Sequence, residues 1–102
     1  MFGDAVRVWR NYAAVSVPST ALGTDLLSAA ERAALGALAR AIVITPTQNI
    51  ALVDGTATGT YVNSGRKIPA GATATIDYFG GPIKAIAEST TATVAVEVGL
   101  TQ

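Results

Sequence analysis

From Ala41 to Val98 the chain never runs more than about ten residues without a turn signal. Pro46, Asp54-Gly55, Asn63-Ser64-Gly65, Pro69-Ala70-Gly71, Gly80-Gly81 and Ser89-Thr90-Thr91 cut it into short runs rich in Ala, Val, Ile and Thr. Segments this short cannot supply the crossover helices that a parallel sheet needs, so consecutive strands must be antiparallel. The cleanest run is Ala92–Val98. There Val94, Val96 and Val98 alternate with Thr93, Ala95 and Glu97, so one face points inward and one outward. Ala72–Phe79 alternates likewise, with Ala74, Ile76 and Tyr78 facing one way and Thr75, Asp77 and Phe79 the other. Ala41–Thr45 is apolar on both faces, which predicts a central strand or one covered on both sides.

Counting the remaining runs, Gln48–Val53, Thr58–Val62, Arg66–Ile68 and Ile83–Glu88, gives about seven short strands. The expected fold is mainly β, a small antiparallel sandwich or barrel of jelly-roll or Ig-like type. Gly80-Gly81 is read as a hairpin, with Ile83–Glu88 pairing back on the strand before it. One helix precedes the strands. Ser28 and Glu31 have the spacing of a capping box, and Arg32 to Leu38 is rich in helix formers, with Leu35 and Leu38 as a narrow apolar stripe. Gly36 weakens that helix or marks a close contact. The organisation expected is an N-terminal arm over 1–27, a helix over 28–39 and a β-sandwich over 40–102. The arm holds Phe2, Trp9 and Tyr12, half of the six aromatics. Within it Val6, Val8 and Tyr12 alternate with Arg7 and Trp9, which reads as a short strand or an extended arm, and the arm either folds back on its own domain or packs on another subunit.

Composition narrows the function. The chain has no His and no Cys, and seven acids balance seven bases. Disulfides are excluded, and zinc ligation loses its usual donors. A His-based nucleophilic triad has no base. A Ser-Lys pair using Lys67 or Lys84 has nothing to position it. The seven carboxylates, Asp4, Asp25, Glu31, Asp54, Asp77, Glu88 and Glu97, sit mostly at turns, caps and outer strand faces, which suits solvation better than acid–base catalysis or hard-metal binding. Gly55-Thr-Ala-Thr-Gly59 lacks the Lys-Ser/Thr ending of a phosphate loop. Zero net charge and a single adjacent basic pair, Arg66-Lys67, argue against nucleic acid. No segment reads as a signal peptide or membrane span. The expectation is a non-enzymatic protein with no cofactor and no metal.

Half of the residues are hydrophobic but only 6% are aromatic, and 14% are charged. Small apolar side chains bury little area each, so a core made of them is thin, and self-association is the remaining way to stabilise it. Trp9, Tyr12, Tyr61 and Phe79, with Phe2, are the candidate partner or oligomer interface. Tyr61 and Phe79 also offer the aromatic surface that a small carbohydrate- or receptor-binding module needs.

Three stretches carry a family likeness. They are Arg40-Ala-Ile-Val-Ile-Thr-Pro-Thr-Gln-Asn-Ile-Ala-Leu-Val-Asp-Gly55, Ile68-Pro-Ala-Gly71, and Ile83-Lys-Ala-Ile-Ala-Glu-Ser-Thr-Thr-Ala-Thr-Val-Ala-Val-Glu-Val98. Over residues 40–98 they resemble small virion proteins of tailed phages and gene transfer agents, of the head-spike base or capsid decoration type. The resemblance implies a β-sandwich that assembles symmetrically, as a trimer ahead of a pentamer. Its partners would be a major capsid protein or a spike or fibre protein. It would be made in a host cytoplasm and carried in the virion.

Overall fold

The computed structural model describes residues 6–20, 23–54, 60–62, 64 and 66–101. Eight strands, β1 (Val8–Val17), β2 (Thr24–Asp25), β3 (Ala39–Pro46), β4 (Ile50–Asp54), β5 (Arg66–Ile68), β6 (Ala74–Asp77), β7 (Ile83–Ala87) and β8 (Ala92–Leu100), make two four-stranded sheets. Sheet A has the order β1-β8-β3-β6 and sheet B the order β2-β7-β4-β5, and every pairing is antiparallel. The pairs β1·β8, β2·β7, β3·β6 and β4·β5 are those of one long hairpin folded back on itself. The further pairs β3·β8 and β4·β7 roll that hairpin into two layers. This is jelly-roll topology, and it settles the choice against an Ig-like order.

The core lies between the layers. β8 sends in Val94, Val96, Val98 and Leu100, and β3 sends in Ile42 and Ile44, as their alternation requires. Sheet B contributes Ile50, Leu52, Ile68, Ile83, Ala85 and Ala87. Among the described residues no charged side chain is buried.

α1 (Ala29–Leu35) fills the gap between β2 and β3. The capping box is complete: the Ser28 amide donates to Glu31 Oε1 at 2.8 Å, and the Glu31 amide donates to Ser28 Oγ at 3.1 Å. Leu26, Leu27 and Leu35 all enter the core. The expected helix through residue 39 is shorter, because Gly36 takes φ +57° and ends the α-helix in favour of one 3₁₀ turn, Gly36–Leu38. Nothing would crowd a Cβ at Gly36, so its role is the backbone angle rather than a close contact. The Arg40 guanidinium then donates to the carbonyls of Ala37 and Ala39, at 2.7 and 2.8 Å, closing the turn.

Three expectations are corrected. Residues 8–17 are no arm. They form the ten-residue edge strand of sheet A, so the β-domain starts at β1 and the expected boundaries at 27 and 39 do not divide the fold. Gly80-Gly81 is no hairpin. It carries the chain from β6 in sheet A across to β7 in sheet B, with Gly80 at φ +92° and the Tyr78 hydroxyl donating to the Gly81 carbonyl at 2.7 Å. The stretch Thr60–Val62 is coil and turn, while 58–59 lie outside the described residues.

Candidate assembly surface

The outward side chains of sheet A follow from its register. Trp9, Gly99, Ala41 and Asp77 form one row across the four strands, and Asn11, Glu97, Val43 and Thr75 form the next. Ala95 and Thr45 begin a third row beside Thr73, and the Thr45 and Thr73 hydroxyls are hydrogen-bonded at 2.9 Å. The face is therefore built of Ala, Val, Thr and Asn, with two carboxylates. Ala41, Val43 and Thr45 are half-buried, and Thr75, Asp77, Thr93 and Ala95 are exposed. β-branched, uncharged side chains suit a flat sheet face that can receive another surface.

Trp9 lies at one end of this face, with Gly99 opposite. A Cβ at residue 99 would stand 2.9 Å from Trp9 Cζ3 and 2.8 Å from Val6 Cγ2, so glycine there is what lets the indole and Val6 lie down on the strand. The indole still keeps 45% exposure. Phe79, two residues past the end of β6, is 70% exposed. Trp9 and Phe79 share one end of sheet A but sit on opposite edges, with Asp77 and Trp9 three strand spacings, about 14 Å, apart.

Sheet A also owns the edges. β1 leaves one side of a ten-residue strand unpaired and β6 one side of a four-residue strand, whereas the edge strands of sheet B, β2 and β5, have two and three residues. In β1 the register jumps between Tyr12 and Val15, so Ala13 and Ala14 form a bulge and the regular edge ends at Tyr12.

The outer face of sheet B is different. Ala51, Val53 and Ile86 point away from the core yet are buried. Gly23, at φ +75°, passes so close that a Cβ would meet Lys84 Cβ at 3.3 Å and Ile86 Cγ1 at 3.5 Å. Beside them an open groove of about 420 Å³ is lined in part by Ser19, Tyr61, Val62, Lys67, Ile86 and Glu88. Lys67 Nζ stands 5.0 Å from the centroid of the Tyr61 ring, a cation–π distance.

The five candidate aromatics thus do not form one platform. Phe2 lies outside the described residues. Tyr12 faces inward opposite Val96 and packs against the core, so it is a packing residue rather than a surface one. Trp9 and Phe79 belong to sheet A, and Tyr61 to the groove on sheet B. Sequence reasoning placed Tyr78 only as an inward residue. Its burial pushes the phenol pKa above 10.0, partly offset by Arg32, with Tyr12 adding to the rise. No grouping of three or more His, Cys, Asp or Glu side chains able to hold a metal occurs among the described residues, and no helix there is long and apolar enough to cross a membrane. No protein-family model, curated protein or solved structure matches the chain.

Proposed function

We propose that this protein is a non-enzymatic structural subunit of a virion, a capsid decoration or head-spike or fibre-base protein that self-associates and docks on a capsid or spike protein. The observation that carries the reading is the outer face of sheet A: a four-stranded face of mostly small uncharged side chains with no layer over it among the described residues, flanked by the longer edge strands. Jelly rolls serve as capsid and lectin domains, an argument by fold analogy that the likeness over residues 40–98 narrows toward virions. A thin core of Val, Ile and Ala gains from area buried between copies.

The test is the solution mass of the purified chain by light scattering. A discrete multiple of 10.3 kDa, three copies above all, is expected. A mass of 10.3 kDa at every concentration up to the solubility limit overturns the reading. Deleting residues 1–14 is no clean test of docking, since it removes the regular half of β1.

A second reading, a small carbohydrate- or receptor-binding module, is favoured by the groove beside Tyr61 and Lys67. It predicts glycan-array binding that Tyr61→Ala abolishes. An array with no retained glycan overturns it.

A further inference from the structure

We propose that copies of this chain join head to tail through sheet A, the free edge of β6 in one copy pairing with the free edge of β1 in the next. The inference rests on the assembly reading above and adds which surfaces meet.

Strand direction permits it. β1 is antiparallel to β8, β8 to β3, and β3 to β6, so the two free edges of sheet A run in opposite directions. A neighbour related by rotation about an axis along the strands then presents β1 antiparallel to β6, and the sheet continues without a change of pattern. Lengths match: the regular part of β1, Val8–Tyr12, ends at the bulge, and β6 with Thr73 ahead of it is equally long.

Charge selects this pairing over the alternatives. From Arg7 to Val17 the chain carries Arg7 and Arg10 and no acid, and β6 ends on Asp77 with no base. Among the described residues neither these two guanidiniums nor the Asp77 carboxylate has a hydrogen-bond or ion-pair partner within the chain. Pairing β1 antiparallel with a second β1 over Val8–Tyr12 sets Arg10 opposite Arg10, which is repulsive across strands, and pairing β6 with β6 leaves both Asp77 carboxylates at opposite ends of the pair with no base opposite them. Pairing β6 with β1 sets Asp77 level with Trp9 of the next copy, two residues from that copy's Arg7, while Arg10 points to the opposite face of the sheet. In the same contact the exposed Phe79 ring comes against that copy's β1. Main-chain hydrogen bonds would supply the affinity and the charges the polarity of the joint. Such a contact is heterologous, so it closes into a ring or runs on as a filament according to the rotation per copy.

The experiment is a charge swap read by light scattering, with circular dichroism as the check on folding. Asp77→Arg makes both edges basic, and the double variant Arg7→Asp/Arg10→Asp makes both acidic. Each alone is expected to fall to 10.3 kDa, and an equimolar mixture is expected to regain an assembly with alternating subunits. A wild-type assembly whose mass Asp77→Arg leaves unchanged overturns this edge pairing while leaving self-association intact. Two folded single-charge variants that stay at 10.3 kDa on mixing overturn it as well. A wild-type chain that is itself monomeric overturns both this inference and the reading it rests on.

Discussion

The two sheets of this molecule have the same number of strands and opposite outer faces. Sheet B turns Ala51, Val53 and Ile86 outward and buries them, with Gly23 and the residues about Tyr61 beside them. Sheet A turns Ala41, Val43, Thr45 and Thr75 outward, and among the described residues no layer lies over them. Sheet B ends in edge strands of two and three residues, and sheet A in edges of ten and four. One sheet is finished by its own loops. The other has a bare face among the described residues and longer edges, guarded by the Ala13–Ala14 bulge and by the charges of Arg7, Arg10 and Asp77. A jelly roll can thus treat its two sheets differently, covering the outer side of one and leaving that of the other bare among the described residues.

A charge placed on each outer face breaks or sustains this contrast most directly. Ile86→Asp buries an unpaired carboxylate and is expected to cost about 4 kcal/mol or more. Thr75→Asp on sheet A is expected to stay within about 0.5 kcal/mol. Denaturant midpoints check both, and equal costs would mean that sheet A is covered after all. Next in size is Gly99→Ala. The added methyl displaces Trp9 and Val6 from the strand, at about 1–3 kcal/mol, and shifts the tryptophan emission to the red. An unshifted spectrum would mean that the indole does not lie on β8.

Asn49→Ala is expected to cost about 1–2 kcal/mol, on the sheet B side. The Asn49 amide donates to Glu88 Oε1 at 3.0 Å and its carbonyl oxygen accepts from the Ala70 amide at 2.9 Å, tying the turns after β5 and β7 together. Hydrogen exchange at Ala70 should rise in that variant. The smallest effect concerns pH. The Tyr78 phenol is held neutral more strongly in the folded chain than in the unfolded one, whose phenol has its ordinary value of 10.0. Its contribution is therefore full below pH 10.0 and declines above it, as the unfolded chain ionises first. Tyr78→Phe should flatten that alkaline decline at the expense of the hydrogen bond to Gly81, about 1 kcal/mol.

Where one side of a strand was buried and the other wet, the residues announced it. β8 and β6 alternate as their two faces differ, and Ser28 with Glu31 marked the helix start through a purely local bond pair. β1 stayed open between a short strand and an arm because it lies at the lip of the sandwich, where Val8, on the core side, is still 46% exposed and Arg10 faces inward without being buried. Its alternation carries no polarity contrast. β3 read as a central strand or one covered on both faces, and it is central, between β8 and β6; its outer Ala41 and Val43 are half-buried, which hydropathy alone cannot tell from a second layer. The Gly80-Gly81 turn looks alike whether the next strand pairs back or crosses over, because that choice is made by distant partners. The interface candidates shared an aromatic ring and nothing else. What separates Trp9 from Tyr12 is the face of β1 on which each falls, and only the register with β8 supplies that.

The pairing of β1 with β8 and of β3 with β8 has a consequence for the order of events during synthesis. β8 is the last of the eight strands, and it is also the one that completes sheet A. Until it has left the ribosome, β1 and β3 have no shared partner, and neither the free edge of β1 nor the bare face exists as a surface. Long-range closure of this kind is slow, on the order of milliseconds to seconds for sandwiches and barrels. In the assembly proposed above, the same delay would keep a nascent chain from joining its neighbours before its own fold is closed.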